Sequence, residues 1–226
     1  MPHNQTEIFA DFEGDRWFGR NREALDAFDA ANDPPLRVIE LYDLRPRSVL
    51  EIGAANGFRV AEIARRHNAR AVAVDVSKDA VREGKKRFPN VEFMCGAAHA
   101  VPLEKSFDLV IVNFVLHWVD RTVLLRTVAE IDRLLIDGGH LIIGDFHPAN
   151  FLQVPYHHLA GDPVRTYKQN YAAPFVASGL YHAVGLLGGG HSAKTPSATA
   201  GESERTGVWL LKKNLTGHYM ASGSGR

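Results

Sequence analysis

The sequence predicts a doubly wound α/β fold, and three observations carry that prediction. From Ser48 to Phe146, short runs that are apolar throughout alternate with longer amphipathic stretches. Strands of that kind belong in a parallel sheet covered by helices on both faces. A glycine-bearing turn follows the first strand, and an acid, Asp75, ends the second. Finally, 226 residues suffice for one α/β domain with a small addition.

The elements follow in order. Residues 1–47 hold two or three helical stretches, with a boundary at Asp33-Pro34-Pro35 and a stop at Pro46. Val49 to Ile52 is the first strand, and Val60 to Arg66 is a helix apolar on one face. Ala71 to Asp75 is the second strand, Lys78 to Phe88 the second helix of the core, and Val91 to Cys95 the third strand. Phe107 to Asn113 is the fourth strand. Arg121 to Ile136 is a long helix that Gly138-Gly139 ends, and a fifth strand starts at His140. Residues 147–175 read as an irregular connection, too long for a plain turn. Tyr171 to Ser178 reads as a helix ending at Gly179. Two closing strands follow, around Tyr181 to Leu187 and Gly207 to Lys212, joined by an exposed loop at Ser192 to Ser203.

Composition narrows the function. Lysine plus arginine number 26, as do aspartate plus glutamate, so the net charge is zero. Nothing in bulk charge attracts nucleic acid or an anionic membrane, and neither is an expected partner. The single Cys95 excludes an internal disulfide framework and a multi-cysteine zinc site. Its place in an apolar run reads as a buried structural thiol. No apolar run reaches the ~18 residues of a membrane span and no signal pattern opens the chain, so a cytoplasmic location is expected. The oligomeric state is left open.

Glu51-Ile52-Gly53-Ala54-Ala55-Asn56-Gly57 places a glycine turn between the first strand and its helix, where doubly wound folds bind ligands. Gly53 permits an unusual backbone angle and close approach of a ligand. Asp75 lies at the spacing at which an acid accepts the hydroxyls of a ribose. These segments resemble the class I S-adenosylmethionine-dependent methyltransferases, whose first motif runs acid-x-Gly-x-Gly-x-Gly. Phe107-Asp108-Leu109-Val110 is similar to that family's fourth-strand motif. Leu134 to Leu141 resembles its leucine-x-proline-glycine-glycine segment before the fifth strand.

The resemblance covers roughly residues 48–146. It implies a Rossmann-like, seven-stranded, mostly parallel doubly wound sheet with an N-terminal helical lid. The cofactor it implies is S-adenosylmethionine, with S-adenosylhomocysteine as product. Glu51, Gly53, Ala54, Ala55, Asn56 and Gly57 would form the turn around the methionine part, Asp75 would hold the ribose, and Val76 would lie against the adenine. Ala97, Ala98 and His99 would border the adenine amine, and Asn113 would meet the methionine ammonium. Two positions depart from the pattern. Ala55 replaces the middle glycine, which is tolerable at negative φ. Ala97 stands where an aspartate often contacts the adenine amine, a loss of ~1 kcal/mol unless His99 or a backbone carbonyl substitutes.

Trp17 and Arg20 sit in an aromatic N-terminal segment that reads either as a lid over the cofactor, with Arg20 on its carboxylate, or as a simple docking contact. His117 reads as a general base or as a structural histidine, and His157 as a second candidate base. Tyr156, His157, His158, Tyr167 and Lys168 are the expected acceptor-binding side chains, and no metal site is expected. The chain thus divides into a lid (1–47), a cofactor-binding core (48–146), an acceptor-pocket loop and helix (147–179), closing strands (180–213) and a flexible tail (214–226). The expected activity is methyl transfer to a small polar acceptor at oxygen, sugar-like or a secondary metabolite. The alternatives are a non-catalytic module that binds the same cofactor, and methylation of protein or nucleic acid.

Overall fold

A computed structural model describes residues 4–159, 164–191, 200–217 and 219. Helix α1 (Gln5–Ile8), a π-helical turn (Phe9–Glu13) and α2 (Gly14–Asp26) follow one another without a break, and α3 (Pro34–Leu41) comes next. Asn4 opens α1 with a reciprocal capping box to Glu7. Asp33 opens α3, its carboxylate accepting the Leu36 N–H at 3.0 Å.

The core then runs β1 (Ser48–Ile52), α4 (Phe58–His67), β2 (Arg70–Asp75), α5 (Lys78–Arg87), β3 (Val91–Cys95), β4 (Phe107–Asn113), α6 (Leu124–Arg133) and β5 (Leu135–Phe146). Beyond it lie β6 (Leu152–Pro155), β7 (Arg165–Lys168), α7 (Ala173–Ala177), β8 (Tyr181–Gly190) and β9 (Arg205–Lys213). Seven strands form one sheet in the order β3-β2-β1-β4-β5-β9-β8. The first five are parallel, while β9 runs antiparallel to both β5 and β8. This is the expected seven-stranded, mostly parallel fold. Chain order reverses between β1 and β4, and the crevice at such a switch point is where doubly wound sheets bind ligands.

Strand alternation divides the core between the two faces of the sheet. Leu50, Ile52, Val72, Val74, Val110 and Val112 pack on one side, with α6 and α7. Val49, Ala71, Ala73, Leu109 and Ile111 pack on the other, with α3 and α4. Among the described residues no helix is long and apolar enough to cross a membrane.

Several local readings are corrected. Helix α6 ends at Arg133 and β5 already starts at Leu135, so Gly138-Gly139 interrupts a strand rather than closing a helix. The pairing jumps from Phe107 with Leu135 to Leu109 with His140, which accommodates the extra residues as a bulge. Residues 147–175 are not irregular throughout, since β6 and β7 pair as an antiparallel hairpin. Cys95 is exposed at the end of β3 rather than buried. Of the expected loop at Ser192 to Ser203, residues 192–199 lie outside the described residues, as does most of the tail beyond residue 217.

Candidate active site

The carboxyl ends of the parallel strands open into a cavity of about 740 Å³. That lies in the upper half of the ~300–1,000 Å³ typical of small-molecule sites. The β1–α4 turn forms its floor. Gly53 has φ +75°, and a Cβ there would strike the side chain of Val115. Asp75 braces the same turn, accepting the Ala55 N–H at 2.7 Å and the Ser77 N–H at 2.8 Å. Burial pushes the Asp75 pKa up, and those two N–H groups pull against it.

The alanine at position 55 would be tolerable at negative φ, but it has φ +49°. A left-handed L-residue costs roughly 1–2 kcal/mol, part of which glycine's greater unfolded-state freedom would cancel. Ala55→Gly is therefore expected to raise stability by about 0.5–1 kcal/mol in urea unfolding. A loss of stability would show that the alanine methyl packs better than its backbone is strained.

The N-terminal helices dock through Asp15, whose carboxylate accepts the Ser77 hydroxyl at 2.7 Å and the Asp79 N–H at 3.0 Å at the start of α5. The cavity wall includes Trp17, Gly53, Ala54, Ala55, Asp75 and Val76, all expected there. It also includes Ala97, Ala98, His99 and Asn113, and further round His117, Tyr156, His157, His158 and Lys168. Thus most of the expected side chains converge on one space.

Five do not reach it, each for a local reason. Arg20 pairs instead with the fully buried Glu13 and donates to the Tyr156 hydroxyl at 3.0 Å. Tyr156 donates to Glu13 at 2.7 Å, so this trio ties the N-terminal helices to the hairpin. Glu51 sits on the Val49 face of β1, away from the cavity, and pairs there with Arg59. Asn56 turns its amide to Glu83 at 3.1 Å. Gly57 serves packing: it has φ +77°, and a Cβ would meet the Phe93 ring at 2.5 Å. Tyr167 points off the cavity side of β7, its ring 4.3 Å from the Arg121 guanidinium carbon.

Arg59 is a residue the sequence reading missed. It lines the cavity while Asp33, at 2.8 Å, and Glu51 hold its guanidinium from behind. Burial pushes the Glu51 carboxyl up from 4.5 to about 7, and Arg59 opposes that shift. The folded state therefore holds the extra proton between those values, so this group's contribution to stability falls as pH rises from about 4.5 to about 7. Glu51→Gln is expected to flatten that slope in urea unfolding near ~pH 5 and ~pH 8. An unchanged slope would place the titration elsewhere.

Asp145 was not paired with His117 in the sequence reading. It ends β5 beside the end of β4, where Asn113 pairs with Gly144. Its carboxylate accepts the His117 N–H at 3.2 Å and the Phe146 N–H at 2.7 Å, and lies 2.9 Å from His117 Nδ1. Both side chains are 3% exposed, so the pair is built into the wall rather than hung from it. An acceptor-only neighbour favours a proton on Nδ1, and in the neutral ring of that tautomer Nε2 carries the lone pair.

Residues 49–139 match the family described as a methyltransferase domain. Demethylmenaquinone methyltransferase of Renibacterium salmoninarum is 28% identical over 202 residues, covering 83% of this chain and 75% of its own length. A methyltransferase-like protein of Schizosaccharomyces pombe is 36% identical over 94 residues, 41% of this chain and 36% of that one. This chain thus spans between about a third and three quarters of these two curated relatives. Among solved structures, the 1,6-didemethyltoxoflavin-N1-methyltransferase of Burkholderia thailandensis, with S-adenosylhomocysteine bound, superposes with TM-score 0.69 at 18% identity. The match covers 92% of this chain and 87% of that one. The N-methyltransferase NodS of Bradyrhizobium japonicum, also with S-adenosylhomocysteine, gives 0.59 at 16% identity over 93% and 99%.

Residues 49–139 thus form a methyltransferase domain, and the fold is that of the class I S-adenosylmethionine-dependent methyltransferases. The cavity fits that family's methyl donor by its own chemistry. Asn113 Oδ1 is buried without a partner, an acceptor awaiting a donor group. Gly144 makes room for it, since a Cβ there would collide with that oxygen. Asp75 brings a half-buried carboxylate to the wall beside Val76, a polar group next to an apolar one as a nucleoside requires.

Proposed function

We propose that this chain moves the methyl group of S-adenosylmethionine to an oxygen of a small hydroxylated acceptor, with His117 as the base. The observation that carries the proposal is His117 in the cavity wall with the buried Asp145 carboxylate at its Nδ1. Asp75 would accept from the ribose, Val76 would cover the adenine, and Ala97 to His99 would border its edge. Gly53 and Ala54 would leave the methionine part room along the backbone, and Asn113 would accept from its ammonium.

When bound, the donor supplies a methyl group activated by the positive charge on its sulfur. The protein's own residues do the rest by orientation, exclusion of water and proton transfer. His117 Nε2 takes the acceptor's proton while Asp145 fixes the ring's tautomer and offsets the charge that forms. Trp17, Trp118 and Phe9 close the lid side with aromatic faces. Phe9 stacks on Trp118 at 5.3 Å, and Trp17 meets Trp118 edge-on at 6.3 Å. A dry site of this kind strengthens each polar contact inside it.

The test incubates purified protein with S-adenosylmethionine and a panel of small hydroxylated compounds, with RNA and protein as rival acceptors. The proposal expects S-adenosylhomocysteine and a methyl ether in equal amounts. Transfer only to RNA or protein would overturn the acceptor class. Tight binding of the donor without turnover would favour a non-catalytic binding module.

A further inference from the structure

The two halves of the cavity differ in chemistry. The residues assigned to the donor come mainly from the ends of β1, β2 and β3. The other half is built from the ends of β4, β5 and β7. β2 lies three strand spacings from β5, roughly 14 Å at ~4.8 Å each. One compact ligand therefore does not sit against both, and the β5 side is left for the acceptor.

That side is walled by rings. Phe114 meets Phe146 at 5.7 Å and 87°, and His117 meets Phe146 at 5.2 Å and 87°. His191 lies 5.1 Å from both Phe114 and Phe146. Perpendicular rings alternate edges with faces, which is the arrangement a further flat ring continues. Phe114 is held at φ +55°, a left-handed conformation that a bulky L-residue adopts only at a cost of ~1–2 kcal/mol. Its N–H donates to the Gly144 carbonyl at 2.7 Å, which helps hold the backbone there.

Two polar side chains on this side, Thr166 and Lys168, are already engaged. Thr166 Oγ1 accepts from the Trp118 indole at 3.1 Å. Lys168 Nζ donates to the Ser203 carbonyl at 2.6 Å, lies 3.7 Å from Glu204 and sits 4.0 Å from the Phe146 ring centre. A polyhydroxylated ring needs several fixed partners, and each buried hydroxyl left without one is costly. Among the described residues this half offers mainly aromatic faces, with the imidazoles of His117 and His191 set among them.

We infer that the acceptor is a flat conjugated ring carrying a single ionisable hydroxyl, packed against Phe114 and Phe146 with that hydroxyl toward His117. The inference rests on the methyl-transfer reading of the same cavity, and it replaces the sugar-like acceptor expected from the Tyr156 to Lys168 segment.

The experiment titrates the protein, saturated with S-adenosylhomocysteine, with 6-hydroxyquinoline and separately with methyl β-glucoside, by calorimetry. The quinoline is expected to bind at least about tenfold more tightly. Phe146→Leu should weaken it about three- to tenfold, the loss of one aromatic contact. Phe114→Gly should do the same, and glycine suits the left-handed backbone. Both variants should keep S-adenosylhomocysteine affinity within about twofold, which shows that each has folded and retains the donor half.

Equal or tighter binding of the glucoside, no binding of either compound, or quinoline affinity unaffected in both variants would overturn the inference. Methylation of the glucoside would do so while leaving the methyl-transfer reading intact. Ring-dependent quinoline binding with no turnover of any acceptor would uphold the inference and defeat that reading.

Discussion

Replacing His117 with glutamine is expected to lower the rate of methyl transfer by about 10²- to 10⁴-fold, the usual contribution of a positioned base. Affinity for S-adenosylhomocysteine should stay within about twofold, because His117 faces the acceptor half. Asp145→Asn is expected to fall in the same range by a different route. The carboxylate lies 2.9 Å from His117 Nδ1 and accepts two backbone N–H groups. An asparagine amide directed at Nδ1 would donate instead, moving the ring proton to Nε2 and occupying the nitrogen that takes the acceptor's proton. The double variant should be little worse than either single one, since both remove the same function. Single-turnover rates with the three variants read this directly. Rates that multiply would mean the two residues act separately.

Asp75→Ala is expected to weaken S-adenosylhomocysteine binding by roughly ten- to hundredfold in calorimetry, counting two charge-assisted hydrogen bonds at ~1.5 kcal/mol or less each. The structure adds a second consequence. The same carboxylate accepts the Ala55 and Ser77 N–H groups, so its removal also releases the turn that forms the cavity floor. Stability should therefore drop by about 2 kcal/mol as well. Asp75→Asn retains one acceptor oxygen and should lose less of both. Undiminished binding in Asp75→Ala would mean the donor lies elsewhere.

The parallel sheet was legible because its strands are apolar throughout and its helices are amphipathic, a pattern that survives without knowledge of tertiary contacts. The hairpin β6–β7 was not legible, since each strand has four residues and their pairing spans a long loop. Period two explains two misplaced residues. In β7, Thr166 and Lys168 share one side while Tyr167 faces the other, so Tyr167 and Lys168 cannot both line the cavity. In β1, Glu51 lies with Val49 toward α3 and α4, where Arg59 and Asp33 await it. The Glu13–Arg20–Tyr156 trio joins residues 143 positions apart and leaves no local signal. Asp145 was within reach, because two adjacent parallel strands ending at similar depth bring the residues after them together.

The central event is a methyl group arriving at an oxygen under the control of His117. Nuclear magnetic resonance of products made from S-adenosylmethionine with an isotope-labelled methyl group, using wild type and His117→Gln on one hydroxylated flat-ring acceptor, observes that event itself. The predicted result is a strong labelled methyl-ether signal from wild type that nearly vanishes in the variant. Label appearing only on carbon, nitrogen or sulfur, or an equal ether signal from both proteins, would contradict it.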